Sequence, residues 1–265
     1  MHSLPHSNRR AGQGRQGGSA AGERLFYLKA TLLLFIAWVA VFELVGNVAK
    51  NLPTVDLTLP LDRRIPFVAA FVWPYILCHV WAFLMIVAVK DFHRANRAFL
   101  AVLLSNLTAY LVYILVPVAF PRPELGPGLS DQILAWYHRL DFYPGANKLP
   151  SNHVAFIWII ATACRRQRFG RIGDLILPLG ASLITVATLF VKQHVVLDAA
   201  LGMVWGFAAW FAAGRLYPAI VDPSVAPADG LKRLVHKVGP ATLAYLAILL
   251  GIAAFVLGGW PPGRH

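Results

Sequence analysis

The sequence predicts an all-α protein, a polytopic transmembrane helical bundle of six to seven spans forming one domain over residues 24–265. Three observations carry this. The chain is 58% hydrophobic and only 14% charged, with a mean hydropathy of +0.60, the balance of an integral membrane protein. Its apolar runs recur at lengths near the ~20 residues a helix needs to cross a bilayer core. Its basic residues also fall mainly on alternate connections between those runs.

Spans are expected near residues 26–47, 66–89, 98–119, 153–164, 173–191, 195–213 and 240–260. Residues 1–23 are rich in Gly, Ser and Arg and are expected to be disordered. No small-residue cleavage site follows the first span, which reads as an anchor. The 153–164 span is short because Arg165 and Arg166 follow it; it is expected to begin a few residues earlier or to dip below the surface. Cys78 and Cys164 read as small buried apolar residues, not as a bridge or a metal site.

The net charge of +12 raises the question of nucleic acid, and its distribution answers it. With the N-terminus inside, one face receives Arg9, Arg10, Arg15, Arg24 and Lys29, then Lys90, Arg94 and Arg97. The same face receives Arg165, Arg166, Arg168 and Arg171, then Arg215, Lys232, Arg233 and Lys237, sixteen of the 24 basic residues. These are topology determinants that also attract anionic lipid; the bilayer, and no nucleic acid, is the expected partner. The same orientation puts the 48–65 and 120–152 loops, His153 and His194 on the outer face.

The outer loop opens with Pro121-Arg122-Pro123, which ends the third span, since proline cannot continue a helix. Residues 131–140 carry apolar side chains at helical spacing with Trp136 and Tyr137, and read as a short helix on the membrane surface. Residues Asp141 to Leu149 then lead into Pro150-Ser151-Asn152-His153, where a proline before an apolar run marks a helix start. Such a start offers free backbone N–H groups and a positive dipole end, which suit phosphate. Ser151 adds a hydroxyl and His153 a proton. In the next segment His194 and Asp198, four apart, share a helix face. A carboxylate on one imidazole nitrogen fixes the tautomer and leaves the other free to attack. Lys192, Lys148 and Arg122 lie on the same side of the membrane, where cations would hold phosphate oxygens.

Singly, several of these residues have bland explanations. Ser151 suits a helix cap, Lys192 a snorkelling anchor and Arg122 a loop charge. Asp198 is different, because an ionisable residue in an apolar helix is costly and reads as functional. The joint pattern of Pro-Ser-x-His before one span and Lys-x-His-x3-Asp before another, on one face, favours chemistry.

Those residues resemble the type 2 phosphatidic acid phosphatase (PAP2) superfamily, whose motifs are Lys-x6-Arg-Pro, Pro-Ser-Gly-His and Ser-Arg-x5-His-x3-Asp. Arg122-Pro123 matches the end of the first; Pro150, Ser151 and His153 match the second, with Asn152 in place of glycine; His194 and Asp198 match the third. The likeness covers roughly residues 90–210. Leu115 stands where the first motif has lysine, and Ala187-Thr188 where the third has Ser-Arg. The run Thr188 to His194, with Asp141 and Asn147, looks like the divergent branch containing inositol phosphorylceramide synthases and bacterial relatives. The resemblance implies a PAP2-like catalytic core with His194 as nucleophile, Asp198 as its orienter and His153 as the acid. It implies phosphate binding by Arg122 and Ser151, with Lys192 and Lys148 replacing the missing cations, and no metal or other cofactor.

The expected function is an integral membrane lipid phosphatase working through a phosphohistidine on a lipid phosphate or diphosphate, with the two imidazoles within about 10 Å of each other. One alternative is a lipid phosphotransferase, with Asp141, Asn147 and Asn152, and His138 nearby, supporting an alcohol acceptor; Asp141 and Asn147 read equally well as turn residues. A third reading is a non-catalytic transporter or anion-binding membrane protein, against which the polar groups gather at one face. The expected location is a bacterial inner membrane with the site on the periplasmic side.

Overall fold

The computed structural model describes residues 20–140 and 146–259. The chain is an all-α bundle: α1 (Ala20–Ala49), α2 (Pro60–Arg64), α3 (Val72–Val80), α4 (Leu84–Ala88), α5 (Phe92–Leu115), α6 (Leu129–Leu140), α7 (Asn152–Cys164), α8 (Gly170–Phe190), α9 (Val196–Ile220) and α10 (Pro227–Gly259). Three-ten turns at Ala69–Phe71 and Trp81–Phe83 join α3 and α4 into one irregular span. Among the described residues, six helical segments are long and apolar enough to cross a membrane, and α7 is a shorter apolar helix.

Several ends differ from the sequence expectation, each for a local reason. Helix α1 begins at Ala20, so residues 20–23 are helical; residues 1–19 lie outside the described part. Helix α5 stops at Leu115, before Pro117 and not at Pro121. Val116, the residue before that proline, leaves the helical region at φ −136° and ψ 71°. Helix α10 begins at Pro227 rather than near 240, because a helix that runs past the bilayer needs no apolar residues there; Lys232, Arg233 and Lys237 ride on that extension. The surface helix α6 forms as expected and buries only Leu134.

The short α7 sits at the centre, packed against α5, α8 and α9. Its 13 residues span about 20 Å, roughly 10 Å less than a hydrocarbon core. Arg165 and Arg166 follow its C-terminal end directly. Two glycines on α9 let α7 come close. A Cβ on Gly202 would stand 2.5 Å from the Ser151 carbonyl oxygen, and one on Gly206 would stand 2.6 Å from that of Ala155. This is the small-residue spacing by which membrane helices bring their backbones together.

The two ends of the bundle are tied separately. At the inner end Gln167 Oε1 accepts from the amides of Lys90 and Asp91, and Arg94 donates to the Thr162 and Ala163 carbonyls. A buried chain also runs there from the Tyr27 hydroxyl to Asn96 and on to Tyr217, which His93 meets at 2.7 Å. At the outer end Val55 and Val118 form an isolated bridge, and the Val68 amide donates to the Phe190 carbonyl.

Candidate active site

The outer end gathers the starts of α7 and α9. The His194 amide and the Gln193 amide both donate to the Thr188 carbonyl, at 3.2 and 3.0 Å, so the turn after α8 fixes the imidazole's backbone. The Ser151 amide donates to the Asp198 carbonyl at 3.0 Å, joining the two helix starts directly. Ser151 is fully buried and caps α7, its hydroxyl accepting from the Val154 amide.

His194 Nδ1 lies 3.0 Å from Asp198 Oδ2, with both side chains buried. His194 Nε2 lies 3.2 Å from His153 Nδ1, and His153 Nε2 is 3.5 Å from the Tyr75 hydroxyl. The proton order along this row follows from its acidic end. An ionised Asp198 accepts a hydrogen bond from His194 Nδ1–H, which leaves the lone pair on Nε2. His153 then donates from Nδ1 and keeps its own lone pair on Nε2, facing the Tyr75 O–H. The His194 Nε2 lone pair and the His153 Nδ1 proton thus face each other at 3.2 Å.

The imidazole pair separates two cavities. One, of about 350 Å³, is mostly aromatic: Phe35, Trp38, Phe42, Tyr75, Trp136 and Tyr137 line it with His79, His153 and Glu43. The other, of about 360 Å³, carries the charged groups, with His194, Lys192, Arg122, Arg63, Asp56 and Asp62 set beside Thr58, Phe120 and Val195. Three cations, Arg63, Arg122 and Lys192, share this cavity with the carboxylates of Asp56 and Asp62.

Each cation is held differently. The Lys192 ammonium donates to the carbonyls of Asp62 and Ile65 at 2.9 and 2.5 Å, so it fastens the outer loop over the α8–α9 turn as well as lining the cavity. Its backbone takes the left-handed φ of 55°. Burial lowers its pKa below the usual lysine value, and Asp62 opposes this. Arg122 donates to the His138 carbonyl at 3.2 Å. Lys148 is buried away from both cavities and reaches Gln193 Oε1 at 3.4 Å. Asn147 and Asn152 are also buried and line neither cavity. The Asn152 amide has no hydrogen-bond partner among the described residues, nor has Asp198 Oδ1. Asp141 lies outside the described residues.

Sequence reasoning missed several neighbours. Asp62 accepts from the Val196 amide at 2.7 Å and from the Leu59 amide at 2.8 Å, capping α9 from the short helix α2. Tyr75 and Tyr137 meet edge to face, and His79 lies 5.3 Å from the Tyr137 ring centre. His79 had a signal, an ionisable residue inside an apolar run. Cys78 is not simply an apolar filler: its Sγ is 3.1 Å from His79 Nδ1. Cys164 is buried and free.

Comparison of the chain with models of known protein families, with curated proteins and with solved structures finds no match.

Proposed function

We propose that the protein is an integral membrane lipid phosphatase that acts through a phosphohistidine at His194. The observation that carries this is the buried row Asp198–His194–His153, whose nucleophilic nitrogen adjoins a cavity holding Arg122 and Lys192. The aromatic cavity on the other side suits the hydrocarbon of a lipid monoester or diphosphate.

In the first step a substrate phosphorus enters between the two rings, which separate to admit it. The Nε2 lone pair of His194 forms the N–P bond while the bond to the lipid oxygen breaks. His153, entering this step as the imidazolium with both nitrogens protonated, passes its Nδ1 proton to that oxygen and becomes neutral, and the lipid alcohol leaves. Asp198 stabilises the positive charge that develops on His194. Arg122 and Lys192 hold the non-bridging oxygens, as expected where catalysis is mostly positioning and charge stabilisation. In the second step water attacks phosphorus, His153 Nδ1 takes its proton, the N–P bond breaks and phosphate departs. Fixed cations fill the charge-stabilising role, so no metal is required.

The outer end of the bundle lies opposite the connections rich in Arg and Lys. That supports a site on the outer, periplasmic side of a bacterial inner membrane. A second reading, phosphotransfer to an alcohol, is favoured by the cavity holding Arg122 and Lys192, where Asp56 and Asp62 add carboxylate acceptors beside the cations. The deciding test is phosphate release from a panel of lipid phosphates in detergent with a chelator present. Free phosphate from the parent and none from His194→Ala supports the phosphatase. Labelled lipid product without free phosphate supports transfer, and full activity in His194→Ala removes both in favour of a transporter.

A further inference from the structure

Cys78 and His79 have no part in the chemistry above, yet both converge on His153. Adjacent residues on a helix point about 100° apart. Here α3 gives way to a three-ten turn just beyond them, and Cys78 Sγ comes to 3.1 Å from His79 Nδ1. One ligand atom from each of Cys78, His79 and His153 lies within 4.8 Å of the others. A thiol and two imidazoles are soft-to-borderline donors, the set that zinc, cobalt(II) and cadmium take in preference to magnesium or calcium. In a tetrahedral zinc site, bonds of ~2.3 Å to sulfur and ~2.0 Å to nitrogen place donors roughly 3.3–3.5 Å apart. The aromatic cavity, which His79 and His153 line, gives an ion its path in and leaves a fourth position for water or a phosphate oxygen.

We propose that Cys78, His79 and His153 form a site for a zinc-like divalent cation whose occupancy arrests the enzyme. Binding forms one metal–sulfur and two metal–nitrogen bonds. The Cys78 thiol releases its proton to water. The His79 proton, now shared with the Ile76 carbonyl at 3.3 Å, moves to Nε2. His153 gives the lone pair that faces Tyr75. A metal-held His153 can no longer turn to serve a leaving oxygen, so the ion is an inhibitor of this site, not its cofactor. The arrest rests on the phosphatase reading; the binding site does not.

The test uses the full chain in detergent with its thiols kept reduced. Cobalt(II) is expected to give the absorption of a tetrahedral thiolate complex, and magnesium none. Cys78→Ser should remove the thiolate-to-metal band, and His79→Gln should weaken cobalt binding about tenfold or more. With a lipid phosphate substrate, zinc should inhibit the parent. Cys78→Ser should keep the parent turnover and need about tenfold more zinc. Absent cobalt bands in the parent, or a Cys78→Ser protein that binds and is inhibited like the parent, would overturn the proposal. If Cys78→Ser does not fold, His79→Gln decides by the same readouts. Cobalt bands in a parent that turns over no lipid phosphate would leave the metal site standing and remove the phosphatase.

Discussion

The carboxylate of Asp62 caps the helix that carries Asp198, accepting the Val196 amide at 2.7 Å from 134 residues away. Val195, the residue at the cap position of α9, offers no side-chain bond of its own. The short helix α2 therefore completes a helix end that the local sequence leaves open. Asp62→Ala is expected to cost about 1 kcal/mol of stability and to lower turnover, because His194 hangs on the same turn. Thermal unfolding in detergent beside kcat checks this; an unchanged unfolding temperature would show that the cap carries no weight.

For the row of imidazoles, His194→Ala should abolish turnover. Asp198→Asn should give a folded protein slower by on the order of 10⁴, since an amide cannot hold the tautomer that exposes Nε2. Steady-state kinetics with a folding control measures both, and a small effect of Asp198→Asn would remove the orienting role.

The close approach of α7 and α9 makes its own prediction. Gly202→Val puts methyl groups where the Ser151 carbonyl now lies, so the helices must part. Overpacking of this kind costs about 1–3 kcal/mol, and it also stretches the Ser151–Asp198 bond and the imidazole contact. Turnover should fall more steeply than stability. Equal turnover in Gly202→Val would mean that this spacing does not set the site.

Lys192 gives a pH dependence with a definite sign. Burial lowers its pKa, so its ammonium loses its proton at a lower pH than an ordinary lysine. If its charge holds phosphate, kcat/KM falls on the alkaline side and the fall starts early. Lys192→Arg keeps its charge to pKa values above about 12 and should move that limb upward. A pH–rate profile of both proteins decides; coincident limbs would assign the lysine to loop fastening alone.

Orientation is testable with single cysteines at exposed positions on the two ends. A polar thiol reagent should reach Gly128→Cys from outside and Phe169→Cys only from inside. Phe169 is preferred to its neighbour Gly170, whose φ of 52° disfavours a side chain. The reverse pattern would place the site on the cytoplasmic side.

The spans were legible because a bilayer imposes long apolar runs, and the pair His153 and His194 because Pro-Ser-x-His and His-x3-Asp are local patterns. What stayed hidden depends on residues far apart in the chain. Tyr75 meets His153 across 78 positions, and Lys192 reaches Asp62 across 130. The spacing Gly202-x3-Gly206 was visible, but only the partner helix shows what it admits. Lys148 and Ser151 are exposed-type residues whose burial comes from the centrally placed α7, which no composition announces.

The two cavities on either side of the imidazoles have a consequence for traffic. On the proposed reaction the products are unlike: an oily alcohol and a charged, water-seeking ion. A single corridor would make one wait for the other, or carry phosphate past aromatic rings. On that reaction the alcohol leaves by the aromatic side through which the lipid came, while the ion departs on the side of Arg122 and Lys192 and never crosses the rings.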